Sequence, residues 1–102
     1  MAGFRLTPEA KQDVIGIRRY TRTKWGEQQS KKYMSELRHI FQLLGETPAI
    51  GIPCPDIDQD SFRFPHASHV IYYNTSEQQL VVFAVLYKAM MPELHLTGRP
   101  RV

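Results

Sequence analysis

Seven side chains in the second half of this 102-residue chain have the chemistry to handle a phosphodiester: Arg63, His66, His69, Tyr72, Tyr73, Tyr87 and Lys88. Arginine and lysine stabilise a pentavalent phosphorus, and histidine or tyrosine moves protons. Such a set suits RNA cleavage. The competing reading places the tyrosines in a core and the cations at its rim. It weighs more, because nothing in the sequence fixes which side chains converge.

Metal chemistry has weaker support. His66 and His69 form an H-x-x-H, but on one strand residues three apart point to opposite faces. With Cys54 added, the spacing fits no zinc pattern. Asp56, Asp58 and Asp60 suggest a calcium loop, yet Ser61 stands where glycine is expected and no glutamate closes the loop. Metal ligands and cofactors are therefore assigned to none of these residues. No glycine-rich phosphate loop and no nucleophile elbow is present.

The elements that must position these residues belong to an ordinary soluble composition, 42% hydrophobic and 23% charged. The length suits one domain, residues 1–102. A single cysteine favours a reducing, cytoplasmic setting. The longest apolar run, Leu80 to Tyr87, is too short to span a bilayer, so no membrane partner is expected. The net charge is only +3, but eight of the thirteen Lys and Arg fall between Lys11 and Arg38. Such a segment attracts an anionic partner.

Phe4–Thr7 alternates like a short strand. Thr7, Pro8 and Glu9 then supply an N-cap, a first helical residue and a first-turn acid. One apolar stripe runs through Ala10, Val14, Ile17, Thr21 and Trp25, and a second through Ser30, Tyr33, Leu37, Ile40, Phe41 and Leu44. Gly26 separates them. It predicts a tight joint with positive φ, two helices folded back as a hairpin, and Trp25 packed beneath the turn. Trp25, Ile17, Val14, Tyr33, Leu37, Ile40, Leu44, Ile71 and Leu86 are expected in the core. The second helix should stop near Glu46, ahead of Pro48.

Residues 48–60 read as a loop. Strands are expected at 61–66, 69–74 and 80–88, forming an antiparallel meander. A helical turn near Pro92–Leu96 precedes a tail, residues 97–102, expected to fray. The last strand is apolar on both faces: Leu80, Val82, Ala84 and Leu86 on one, Val81, Phe83, Val85 and Tyr87 on the other. A hairpin covers only one side. The other must be covered by the C-terminal tail, a second subunit or a partner chain, and the second set is the expected docking face for a partner, one that is acidic and disordered until it binds.

Order and spacing together resemble the RelE/ParE toxin superfamily, and the residues resemble its ParE branch of bacterial toxin–antitoxin systems. The carriers are Ala10, Asp13-Val14, Ile17, Tyr20, Trp25-Gly26 and Tyr33; Pro48 and Gly51; His69-Val70-Ile71-Tyr72-Tyr73; and Val85-Leu86-Tyr87 with Met90. Trp25, Gly26 and Tyr33 are the structural signature. The resemblance implies an α+β fold with an N-terminal strand and a two-helix hairpin on a mainly antiparallel sheet of three to four strands. It also implies a cytoplasmic bacterial toxin that arrests growth by binding DNA gyrase, with no catalysis and no cofactor. A cognate antitoxin would silence it, within a toxin–antitoxin hetero-oligomer. Ala84 and Tyr87 depart from the family's arginine and histidine, and the ending "TGRPRV" lacks the C-terminal tyrosine of RelE-type ribonucleases. The alternatives are a RelE-like ribonuclease using Arg63, His69, Tyr87 and Lys88, and a non-toxic interaction module derived from such a toxin.

Overall fold

The computed structural model describes residues 3–76 and 79–100. Of the polar turn expected over residues 74–79, positions 77–78 lie outside them, as do the last two residues of the tail, while 74–76 and 79 belong to strands. In chain order the elements are β1 (Phe4–Leu6), α1 (Pro8–Trp25), α2 (Glu27–Glu46), a 3-10 turn (Pro48–Ile50), β2 (Ile52–Pro53), β3 (Ser61–His66), β4 (His69–Ser76), β5 (Gln79–Tyr87) and α3 (Pro92–His95).

The hairpin forms where its punctuation predicts. The Thr7 side chain accepts from the Ala10 N–H at 3.2 Å, with Pro8 at the first helical position and Glu9 in the first turn. At the joint, Gly26 has φ 91° and ψ 168°, a conformation essentially confined to glycine. A Cβ there would meet nothing within 4 Å, so the requirement for glycine is conformational and not one of space. Across the joint, the Thr21 and Ser30 hydroxyls are 2.6 Å apart and buried.

The sheet has five strands in the order β1-β5-β4-β3-β2, one more than the upper expectation of four. The extra strand is Ile52–Pro53, taken from the segment read as loop, pairing antiparallel with Arg63 and Phe62. Proline is tolerated there because β2 is an edge and needs no further donor. β1 runs parallel to β5, while β2 to β5 are antiparallel.

A register shift changes the faces of β5. Tyr72 pairs with Ala84 but Tyr73 with Val82, so Phe83 is an extra residue, a β-bulge. Leu80, Val82 and Val85 join the hairpin-side core with Tyr33, Leu37, Phe41, Leu44, Ile71 and Tyr73. Phe83, Ala84 and Leu86 join Tyr72 and Leu96 on the other side, where Ile57, Val70 and Met90 complete the cluster. Strict alternation would have kept Val82, Ala84 and Leu86 on one face. The bulge divides them.

The tail is fastened down. Arg99 donates through both terminal nitrogens to Asp13 on α1, at 2.7 and 3.0 Å, and to the Phe83 carbonyl at 3.0 Å. Fraying from residue 97 onward does not describe this segment, because a bidentate pair closes it onto the bulge.

Candidate functional site

The best-connected polar group lies where the hairpin tip meets the ends of β4 and β5. His69, 1% exposed, places Nδ1 2.5 Å from the Tyr33 hydroxyl. Nε2 is buried without a partner. Burial, reinforced by nearby His66, lowers the His69 pKa to about 4, so the ring is neutral at pH 7. Burial likewise raises the Tyr33 and Tyr87 pKa values. The phenols are therefore protonated, and no member of the group is poised as a base accessible to solvent.

His66 and His69 do not behave as residues three apart on one strand. The chain turns between them, so they face each other across β3 and β4. Both rings lie against Tyr33, at 5.8 and 5.5 Å. Opposite faces were expected because a single strand was assumed; a two-residue turn puts the pair on one face. Among the described residues no three His, Cys, Asp or Glu side chains gather as a metal would need. The aspartate segment is used as a turn, with Asp58 accepting from the Asp60 N–H and the Cys54 carbonyl accepting from Ile57 and Asp58.

The sheet separates the ribonuclease candidates. His69 and Tyr87 lie on the hairpin side, in contact at 4.3 Å between ring centres. Arg63 pairs with Tyr72 in register and lines a cavity of about 410 Å³ on the opposite face, with Cys54, Asp56, Glu93 and Leu96. Its guanidinium reaches the Cys54 sulfur at 3.5 Å. Lys88 is exposed beyond the end of β5. The β-sheet thus separates Arg63 from His69 and Tyr87.

The docking face expected at Val81, Phe83, Val85 and Tyr87 does not exist as a surface. Val81 and Phe83 are 0% exposed and Val85 3%. The bulge sends Val85 to the hairpin core and Phe83 to the opposite cluster, and the chain's own Leu96 and Met90 cover the latter. The open apolar surface lies elsewhere. A groove of about 510 Å³ runs between α1, α2 and β1, floored by Leu6, Val14, Met34 and Phe41 and edged by Arg18, Lys31 and Arg38. It adjoins the β1 side of the sheet, whose outer edge pairs with no other strand.

Trp25 is 45% exposed, although its position predicted a core residue; Val14 and Ile40 are also only partly buried. The hairpin does turn at Gly26, but Trp25 lies against the outside of Tyr33, 5.9 Å between ring centres at 72°, and not beneath the turn. Small Thr21 and Ser30 fill the interhelical contact, leaving no room for an indole.

Other signature residues acquire physical roles. The Asp13 carboxylate accepts from the Val85 N–H at 3.0 Å, tying α1 to β5 just past the bulge. Where the resemblance places an arginine the strand has Ala84, and Asp13 receives its cation from Arg99, a residue the sequence reading left in a loose tail. Nothing in the sequence pointed to this pairing, because the two residues lie 86 positions apart. Tyr73 donates to the Pro48 carbonyl at 2.6 Å. A Cβ on Gly51 would lie 2.0 Å from the Tyr73 hydroxyl oxygen, so this glycine is required for close approach.

These residues sit on a helical hairpin packed against a mixed five-stranded sheet. Residues 4–92 match the family model for the ParE toxin of type II toxin–antitoxin systems, parDE. The chain is 29% identical over 96 residues to Toxin ParE1 of Caulobacter vibrioides, covering 94% of this chain and 99% of the relative. It is 30% identical over 88 residues to Toxin ParE1 of Mycobacterium tuberculosis strain H37Rv, covering 85% and 90%. The fold superposes on a chain of the chromosomal ParDE system from P. aeruginosa with a TM-score of 0.72, over 85% of this chain and 96% of that one, at 11% identity. The chain belongs to the ParE toxin family and is the toxin component of a type II toxin–antitoxin system. Among the described residues, no helix is long and apolar enough to cross a membrane.

Proposed function

We propose that this toxin arrests bacterial growth by binding a type II topoisomerase, DNA gyrase, in the cytoplasm, without a reaction of its own, and that a cognate antitoxin silences it. The observation that carries the non-catalytic reading is the separation of Arg63 from His69 and Tyr87 by the sheet. Phosphodiester cleavage needs the cation and the proton-transfer groups around one phosphorus. Membership of the ParE toxin family is what supports the choice of target.

The antitoxin docks in the groove between α1, α2 and β1. Half-buried Leu6, Val14 and Met34 offer apolar surface that a helix or added strand would cover. Arg18, Lys31 and Arg38 at the rim favour a segment with carboxylates, which orders as it binds. Supercoiling and RNA-cleavage assays on one preparation test the reading. Supercoiling should be blocked with no specific RNA cuts, and the antitoxin should reverse the block. RNA cuts that disappear in Arg63→Ala or His69→Ala would reject it. Met34→Asp, on the half-buried groove floor, should weaken antitoxin binding and leave toxicity in place.

A further inference from the structure

We infer that the hairpin tip carrying Tyr20 and Trp25 is the surface with which the toxin grips a carboxylate-bearing face of its protein target. This rests on the reading that the toxin acts by binding. Tyr20 and Trp25 are 46% and 45% exposed, the two most accessible aromatic rings among the exposed large hydrophobics. Neither is loose. Tyr20 stands near-perpendicular to Tyr87, at 5.6 Å and 80°, and Trp25 to Tyr33, at 5.9 Å and 72°. Tyr33 and Tyr87 in turn both pack against buried His69, at 5.5 and 4.3 Å. The exposed rings are thus the outer ends of one continuous aromatic belt. Rings already held in place lose little freedom on docking.

The charge around them is mainly positive. The last eight residues of α1, from Arg18 to Trp25, contain Arg18, Arg19, Arg22 and Lys24 and no acid. Lys88 follows Tyr87. The acid that meets this stretch is Glu27 across the turn, paired with Arg22 at 2.9 Å, both side chains 53% exposed. So exposed a pair contributes little to stability and is easily exchanged for a partner's carboxylate. Tryptophan, tyrosine and arginine are the residues that dominate protein–protein binding energy, and a ring of cations around them speeds encounter with an acidic face. A protein face fits better than a duplex backbone, because the patch presents two large exposed rings, and such apolar surface matches a protein interface and not the sugar-phosphate backbone. The antitoxin groove lies on the Val14 and Ile15 side of α1; Arg18 and Glu27 border both surfaces, but Arg19, Tyr20, Lys24 and Trp25 do not line the groove. The two surfaces can therefore be separated by mutation.

The test uses the full chain with four variants: Tyr20→Ala, Trp25→Ala, Arg19→Glu and Lys24→Glu. The last two change exposed side chains, and circular dichroism checks that their effects are not a failure to fold. Gyrase supercoiling, calorimetric affinity for the cognate antitoxin and circular dichroism are measured on each. We expect Trp25→Ala and Lys24→Glu to raise the inhibitory concentration at least about tenfold, the scale of an interface hot spot. Antitoxin affinity should stay within about threefold, the spread expected of residues outside an interface. Unchanged inhibition in all four, or an equal loss of antitoxin affinity, would overturn the assignment. If the unaltered toxin does not inhibit supercoiling, the topoisomerase reading fails, and growth arrest on expression becomes the readout. Arrest abolished by Trp25→Ala and Lys24→Glu then upholds the surface for another protein target; arrest retained, or absent from the unaltered chain, overturns it. Tight binding of the toxin alone to a fluorescent DNA duplex, lost in Lys24→Glu, would also overturn the choice of a protein partner.

Discussion

The two faces of the sheet are covered by very different means. On the hairpin side, 18-residue α1 and 20-residue α2 lay long apolar stripes against Ile71, Tyr73, Leu80, Val82 and Val85. On the other side, a four-residue helix and Leu96 cover Tyr72, Phe83 and Leu86, fastened by Arg99 to Asp13. The first cover comes from local periodicity and needs no single contact. The second has little apolar area of its own and depends on a long-range ion pair. The hairpin side should therefore report global stability, and the tail side should open on its own.

The largest test of that difference is Leu44→Ala. Leu44 is 0% exposed in the hairpin-side core, so its truncation should cost about 2–5 kcal/mol. Urea unfolding should show the loss as a lower midpoint with an unchanged slope. Leu96→Ala at 3% exposure should cost clearly less, because the tail can detach without the rest. Equal losses would erase the distinction.

A second test uses the buried histidine of the hairpin side. Folded His69 stays neutral down to about pH 4, whereas in the unfolded chain it takes a proton near 6.5. Between those values the unfolded state binds more protons. Stability contributed by His69 is thus complete above pH 6.5 and is lost as pH falls toward 4, by roughly 3 kcal/mol over the window. Thermal unfolding at several pH values should show this slope in the unaltered chain and a flatter one in His69→Gln. Tyr33, His66 and Tyr87 surround the ring and Glu36 lies 3.9 Å from His66, so the same series in Glu36→Gln checks that the slope belongs to His69.

The latch comes third. Arg99→Ala leaves Asp13 still accepting from the Val85 N–H, so the hairpin should stay folded. A partly buried charge-assisted pair of this kind is worth about 1.5–3 kcal/mol. The loss should fall on the tail: amide exchange should accelerate at Leu94 and Leu96, whose N–H groups bond within this segment, and hold constant at Tyr33 and Leu37. Uniform acceleration would mean that the tail and the hairpin unfold as one unit.

The smallest effect is expected at Trp25. A buried tryptophan costs about 3–5 kcal/mol to truncate. At 45% exposure, with edge contact to Tyr33, Trp25→Ala should cost about 1 kcal/mol. A loss near the larger figure would place the indole back in the core.

The sequence alone determined the hairpin. Thr7-Pro8, Gly26 and Pro48 act through backbone geometry over a few residues, and the apolar stripes repeat every three to four, so helix limits and the positive φ at the joint were legible without a fold. It also showed Ala84 where the resemblance places an arginine. Tertiary structure alone decided which face each residue of β5 meets, because one extra residue at Phe83 reverses the alternation after it and no periodicity announces a bulge. It decided that Arg63 is separated from His69 and Tyr87, that Trp25 stays outside a joint packed with Thr21 and Ser30, and that Arg99 crosses 86 positions to reach Asp13. Those outcomes depend on strand pairing and on contacts between residues far apart in the chain, whereas caps, turns and stripes report only on their immediate neighbours.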